Sequence, residues 1–214
     1  MSRPLVGAVL VLTLACGNIG SPEILSSDVF EFRGQGPGQT VVFHWERTTL
    51  PVRVWVASDS PLRTYVQTAI DRWQGAFLYG EFRATMVADS AAADVIVRNQ
   101  PSDLDGGFGA RAPQCVGETD LAVDLTAKTL TLPVHVFVYA IVSDATPGIA
   151  TCYSITTTHE FGHVLGILSP THSGTTSGNV MFGNPSFDGI SERDRLTAVT
   201  LYSIPPTITI TGRH

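Results

Sequence analysis

The sequence predicts one α/β domain, and three observations lead to that fold class. Hydrophobic residues make up 43% of the 214 residues and charged residues only 15%, which is typical of a compact globular chain. Short apolar runs with alternating or continuous patterns are typical of strands, whereas other segments repeat apolar residues at helical spacing. The 20 glycines and 13 prolines indicate frequent turns between these elements.

The first strand and the first helix are predicted between residues 51 and 77. The stretch PVRVWVA places valines at alternate positions, which indicates a strand with one buried face. Ser60 is the expected N-cap of the following helix, and Pro61 is its expected first residue. Apolar residues then recur at helical spacing from Leu62 to Phe77, so we expect this helix to pack against a sheet.

Further strands and two more helices follow along the chain. The predicted strands are FRATMVA, DVIVR, ETDLAVDL and TLPVHVFVYA, and the last is continuous enough for an interior strand. A second helix is expected to start at the threonines of residues 156–158 and to end at Gly166. A third is expected to start at Ser191, with Asp194 completing a shortened capping box. The final TITITGRH is interpreted as an added strand or a loose end.

The N-terminus is typical of an export signal. Arg3 precedes a short apolar run from Leu5 to Ala15 that is too short to span a bilayer. The end of this run, LTLAC, resembles a bacterial lipoprotein signal, which would place a lipid on Cys16 and attach the protein to a membrane. Plain secretion after cleavage near Ala15 is the alternative. We therefore expect export from a bacterial cell, either to a lipid-anchored position or to the extracellular or periplasmic space.

Export also bears on the two remaining cysteines. An oxidising compartment favours a disulfide between Cys115 and Cys152, which the chain-entropy model values at about 3–4 kcal/mol for a loop of this length. Two unpaired buried thiols are the alternative.

The segment THEFGHVLGILSPTHSGTTSGNVM, residues 158–181, contains the spacing HExxH. A helix returns to the same face after four residues, so His159 and His163 are expected to point at one metal ion with Glu160 beside them. Zinc prefers tetrahedral nitrogen and oxygen ligands, and a catalytic site keeps one position for water. Zinc lowers the pKa of that water, and Glu160 could then take its proton. The motif therefore predicts a zinc hydrolase.

Gly166 follows His163 by three residues, and the resulting HExxHxxG resembles the metzincin clan of zinc endopeptidases. Asn179-Val180-Met181-Phe182 is similar to the Met-turn of that clan, in which Met181 would form an apolar floor below the ligands. The resemblance covers about residues 51–204, is strongest over 158–182, and is closest to short matrixin-like bacterial proteins. It implies a zincin catalytic domain with a twisted mixed sheet, an antiparallel edge strand, an active-site helix and a C-terminal helix.

The third metal ligand departs from the pattern of the clan. The position that carries a histidine in the clan is Ser169 here, which is not a credible zinc ligand, and the next histidine is His172. A loop lengthened by three residues could still return His172 to the metal, so we take His172 as the third ligand. An exposed loop histidine is one alternative. Another is Glu192, because a second clan of zinc peptidases, the gluzincins, takes its third ligand from a glutamate on a later helix.

The sequence thus predicts a monomeric zinc metalloendopeptidase that acts on proteins or peptides. The expected organisation is a signal peptide in residues 1–16, a tether and approach segment in 17–48, the catalytic domain in 49–206 and a tail in 207–214. A net charge of −6 without a basic stripe speaks against a nucleic-acid partner. The alternative function is a surface lipoprotein that keeps the fold, has lost catalysis and binds a partner.

Overall fold

The computed structural model describes residues 29, 31–36, 39–101, 114–168, 178–187 and 189–212. Within these residues the chain is a mixed α/β protein with three α-helices. The helices are α1 (Arg63–Gly75), α2 (Ile149–Leu165) and α3 (Glu192–Tyr202). The strands are β1 (Gly34–Gly36), β2 (Gln39–Val41), β3 (Val52–Val56), β4 (Ala84–Met86), β5 (Val95–Arg98), β6 (Cys115–Asp120), β7 (Val123–Asp124), β8 (Thr129–Thr131), β9 (Val134–Ala140) and β10 (Thr209–Thr211).

The main sheet has five strands in the order β4-β3-β5-β9-β6. Four strands run parallel to one another, and β6 pairs antiparallel with β9 at one edge, with Gly117 opposite Val138. A mixed sheet with an antiparallel edge strand is what the sequence predicted. β9 lies inside the sheet, and its continuous apolar run agrees with that position. β6 begins three residues before the predicted stretch ETDLAVDL, so the disulfide-forming Cys115 belongs to the strand.

Two small sheets accompany the main one. β1 and β2 form an antiparallel pair, and β7, β8 and β10 form a three-stranded sheet. β10 runs parallel to β8 and pairs Ile210 with Leu130, so residues 209–211 of the tail are an added strand. Leu130 is fully buried, which places this second sheet against the common core.

One hydrophobic core joins the sheet and the helices. The alternate valines of β3 are buried, as the period-two pattern predicted, and α1 buries Val66, Ala69, Ile70 and Trp73. Residues 41–45, which precede β3, are buried as well, so this part of the approach segment packs into the same core.

The starts of two helices differ from the prediction. α2 begins at Ile149, after Gly148 with φ 90°, and not at the threonines of residues 156–158. These threonines are buried within the helix, where the Thr158 hydroxyl donates to the Ser154 carbonyl instead of capping an end. α1 begins at Arg63, because Ser60 and Pro61 form a preceding turn in which Ser60 Oγ accepts from the Leu62 amide.

The start of α3 is confirmed. Ser191 is the N-cap, and its side chain accepts from the Asp194 amide at 3.2 Å, while the Asp194 carboxylate accepts from the Ser191 amide at 3.0 Å. These two bonds form the capping box that the sequence predicted.

Candidate active site

The helix that carries HExxH is held from behind by two tryptophans. Trp73 of α1 donates its indole N–H to the Thr158 carbonyl at 2.8 Å, and Trp45 donates to the Val164 carbonyl at 2.8 Å. Val164 lies in the last turn of α2, where carbonyls lack a partner within the helix. Both tryptophans are almost completely buried, so these two bonds hold the helix against the core on the side of α1 and residue 45.

α2 ends at Gly166, as the sequence predicted. Gly166 has φ 115°, its amide donates to the His163 carbonyl, and the Ile167 amide donates to the Gly162 carbonyl at 3.1 Å. These bonds form a Schellman motif, which requires a left-handed residue at this point. A Cβ atom at Gly166 would also overlap the Phe43 carbonyl oxygen, so both conformation and space require glycine here.

The turn after Gly166 and the segment around Met181 each provide a carbonyl to one motif histidine. His163 Nδ1 lies 2.6 Å from the Ile167 carbonyl oxygen, and His159 Nδ1 lies 2.6 Å from the Val180 carbonyl oxygen. A carbonyl oxygen only accepts, so each Nδ1 carries the proton and donates it. In the neutral rings each Nε2 therefore presents a lone pair.

The two Nε2 atoms lie 3.1 Å apart, and both rings are fully buried. Two buried lone pairs at this distance repel each other unless a cation or a proton lies between them. Two nitrogens bound to one tetrahedral zinc at 2.0–2.1 Å are separated by about 3.3 Å. The spacing, the ligand type and the fixed tautomers of His159 and His163 therefore fit a zinc ion.

Met181 packs against the helix that carries this pair. Its side chain is 1% exposed and lies against Gly162, where a Cβ atom would collide with the sulfur. Gly162 lies on α2 directly before His163, so the methionine packs against the helix next to this histidine. A floor below metal ligands stays what the Met-turn resemblance implies for Met181.

Asp194 of α3 supports the same segment. Its carboxylate accepts from the Val180 amide at 3.0 Å and from the Met181 amide at 3.1 Å, in addition to the capping box. Burial raises the pKa of this carboxyl, while its hydrogen bonds from Ser191, Met181 and Val180 oppose that rise. Asp194 thus fixes the peptide that presents the Val180 carbonyl to His159.

Glu160 turns towards β6. Its carboxylate is fully buried, and Oε2 accepts from the Thr119 hydroxyl at 2.7 Å. A Cβ atom at Gly117 would overlap Oε1 of Glu160, so the carboxylate occupies space that only glycine leaves open.

The disulfide predicted between Cys115 and Cys152 is present and joins β6 to α2, with their Cα atoms 6.1 Å apart. The Thr156 hydroxyl lies 3.1 Å from the Cys115 sulfur. The edge strand is therefore linked covalently to the helix that carries Glu160.

Glu192, the alternative third ligand, is not part of this arrangement. Glu192 is exposed over 66% of its side chain and pairs with Arg195 at 2.6 Å, which lowers the pKa of its carboxyl. Across the described residues, no group of three histidine, cysteine, aspartate or glutamate side chains could hold a metal ion, so Glu192 does not complete the histidine pair. His172 and Cys16 lie outside the described residues.

Sequence reasoning missed Gly117 and Thr119, and it recognised Asp194 only as a cap. The alternation of Cys115, Gly117 and Thr119 along one strand is the signal that could have drawn attention to them, because such residues share one face. Small side chains on that face indicate close approach of another element.

The described part of the chain contains no helix long and apolar enough to cross a membrane. No protein-family model matches the sequence, and no curated protein matches it.

Proposed function

We propose that this protein is a zinc-dependent endopeptidase of the metzincin type. The observation that carries the proposal is the histidine pair, in which two Nδ1–H groups are tied to backbone carbonyls and two Nε2 atoms lie 3.1 Å apart. The antiparallel edge strand β6, the glycine that ends α2 and the packing of Met181 against the helix support the same family.

In this proposal His159 and His163 bind zinc through Nε2, and His172 is the third ligand. Zinc, when bound, supplies a Lewis acid that polarises the scissile carbonyl and lowers the pKa of water at the site. The Glu160 carboxylate takes the proton of the attacking water and then delivers it to the amine that leaves. Intact Glu160 favours an enzyme over a binding protein that has lost catalysis.

An extended peptide fits the edge of the main sheet. Among the described strands, β6 forms one edge of the main sheet, and an extended peptide can add to a sheet edge as a further strand. β6 also carries the residues that contact Glu160, so a peptide bound there would pass close to the carboxylate. We therefore propose proteins or peptides as substrates.

Export is part of the proposal. A disulfide is typical of oxidising compartments, and the Cys115–Cys152 bond supports a location outside the cytoplasm. Cys16 remains the candidate for lipid attachment, with plain secretion as the alternative. Mass spectrometry of Cys16 in the exported protein distinguishes the two.

The test measures zinc content and peptide cleavage together. We expect one zinc per chain, cleavage of an unfolded protein that stops when a chelator is added, and loss of cleavage in Glu160→Ala with zinc retained. His172→Ala should lose zinc, whereas the matched control His135→Ala, in β9, should keep it. Equal cleavage by wild type and Glu160→Ala would exclude the proposed mechanism. Zinc without cleavage would favour the binding protein, and zinc retained in His172→Ala would exclude His172 as the ligand.

A further inference from the structure

β6 and α2 contact each other through matched positions at regular intervals. Three side-chain positions of the strand, two residues apart, face three positions of the helix, four residues apart. Two residues of a strand rise about 6.6 Å and four residues of a helix about 6.0 Å, so the two repeats stay in step over this length. Cys115 of the strand contacts Cys152 of the helix, Gly117 contacts Thr156 and Glu160, and Thr119 contacts Glu160.

The last of these contacts is a hydrogen bond to the proposed general base. The Thr119 hydroxyl has one proton and lies 2.7 Å from Oε2 of Glu160 and 3.2 Å from the backbone carbonyl of the same residue. The shorter contact is to a carboxylate, and bonds to charged acceptors are the stronger ones. The proton therefore points to Oε2, and both residues are fully buried, where a hydrogen bond is stronger than in water.

Gly117 defines the other side of the carboxylate. A Cβ atom there would overlap Oε1 and approach Cδ of Glu160 at 2.7 Å. The carboxylate is thus confined between the backbone at Gly117 and the hydroxyl of Thr119. These two contacts, both from β6, restrict the side-chain torsions of Glu160.

We propose that Thr119 is the positioning residue for Glu160. Its hydroxyl holds Oε2 against β6 and thereby orients the carboxylate that takes the proton from the attacking water. This inference rests on the proposed peptidase function. Because Thr119 acts through Glu160 and does not contact the substrate, its loss should affect turnover and leave substrate binding largely intact.

The kinetic test compares Thr119→Val, which has the same shape without the hydroxyl, with Thr119→Ser, which keeps the hydroxyl. The substrate is the peptide from a fluorogenic library that the wild-type full chain cleaves fastest. We expect Thr119→Val to lower kcat about 10- to 100-fold with KM within about threefold. Thr119→Ser should recover most of kcat. The matched control is Thr85→Val, at the exposed position of β4 on the opposite edge of the sheet, which should behave as wild type.

A second readout does not depend on activity. In the chelator-treated protein, the unfolding temperatures of the wild type, Thr119→Val, Glu160→Ala and the double variant form a double-mutant cycle. If the hydroxyl and the carboxylate bind each other, the shift of the double variant is clearly smaller than the two single shifts added together. Additive shifts overturn the proposal, whatever the enzyme does.

The outcomes separate this inference from the proposed function. An active wild type with an inactive Glu160→Ala and a fully active Thr119→Val would overturn the role of Thr119 and leave the peptidase proposal standing. A Thr119→Ser variant as slow as Thr119→Val would also overturn it. If the wild type cleaves nothing, the peptidase proposal fails, and the cycle still decides whether Thr119 holds the carboxylate.

Discussion

The motif histidines and the motif glutamate lie side by side on α2, yet different kinds of group hold them. His159 and His163 are oriented by the backbone carbonyls of Val180 and Ile167, which follow the motif in the chain. Glu160 is oriented by the Thr119 side chain and by the missing side chain of Gly117, which precede it. A carbonyl survives most substitutions of its residue, whereas a hydroxyl or an empty space does not. Substitutions at Val180 and Ile167 should therefore be tolerated better than substitutions at Thr119 and Gly117.

Among the variants that test this difference, Gly117→Ala is expected to have the largest effect on turnover. The added methyl group would occupy the place of Oε1 of Glu160, so the carboxylate must move. We expect kcat to fall by about 10²–10⁴, the range that general-base catalysis contributes, while zinc remains bound. Steady-state kinetics and metal analysis measure the two quantities.

The matched control is Gly75→Ala, at the end of α1, where a Cβ atom meets nothing within 4 Å. Normal turnover in Gly117→Ala would mean that the carboxylate does not need its place against β6. Loss of zinc in the same variant would show that the two sides of the site are not independent.

The second prediction concerns the covalent link between strand and helix. Replacing both Cys115 and Cys152 by serine should lower the free energy of unfolding by about 2–5 kcal/mol, because the unfolded chain gains freedom. Denaturant unfolding of the oxidised wild type and the double variant checks this. β6 is also held by its pairing with β9, so we expect kcat to fall less than in Gly117→Ala. Equal unfolding midpoints would contradict the prediction.

The smallest effect is expected from Ile167→Val. Removing one buried methylene should lower the free energy of unfolding by about 0.5–1.5 kcal/mol. The carbonyl that accepts from His163 Nδ1 belongs to the backbone and is kept, so zinc affinity should stay within about threefold of wild type. Competition with a chromophoric chelator measures that affinity. A tenfold loss would show that the side chain, and not only the carbonyl, orients the histidine.

Local signals predicted the elements whose causes are local. The capping box of Ser191 and Asp194, the stop at Gly166 and the alternate valines of β3 each depend on residues close together in sequence, and each was predicted correctly. The start of α2 was wrong because threonine favours a cap when considered alone. In the fold these threonines are buried within the helix, so tertiary packing overrides their local preference.

The contacts around Glu160 depend on how distant segments align with one another, and that alignment cannot be deduced from a single sequence. Thr119 and Glu160 are 41 residues apart in sequence. They come into contact because β6 pairs with β9 in a register that places Thr119 opposite Val136 and turns its side chain towards α2. A shift of one residue in that register would turn Thr119 to the opposite face. The HExxH spacing therefore predicts which residues converge on a metal, and the surroundings of the base follow only from the assembled sheet.

The two indole contacts behind α2 also give the protein an intrinsic optical probe. Trp45 and Trp73 are buried and bonded to carbonyls near opposite ends of the HExxH segment, and Trp73 lies next to Met181. Only one other tryptophan, Trp55, contributes to the emission of the chain. Loosening of the motif helix would expose two of the three indoles to water and shift their fluorescence to longer wavelength. The emission spectrum can thus follow the integrity of the site during metal removal without any added label.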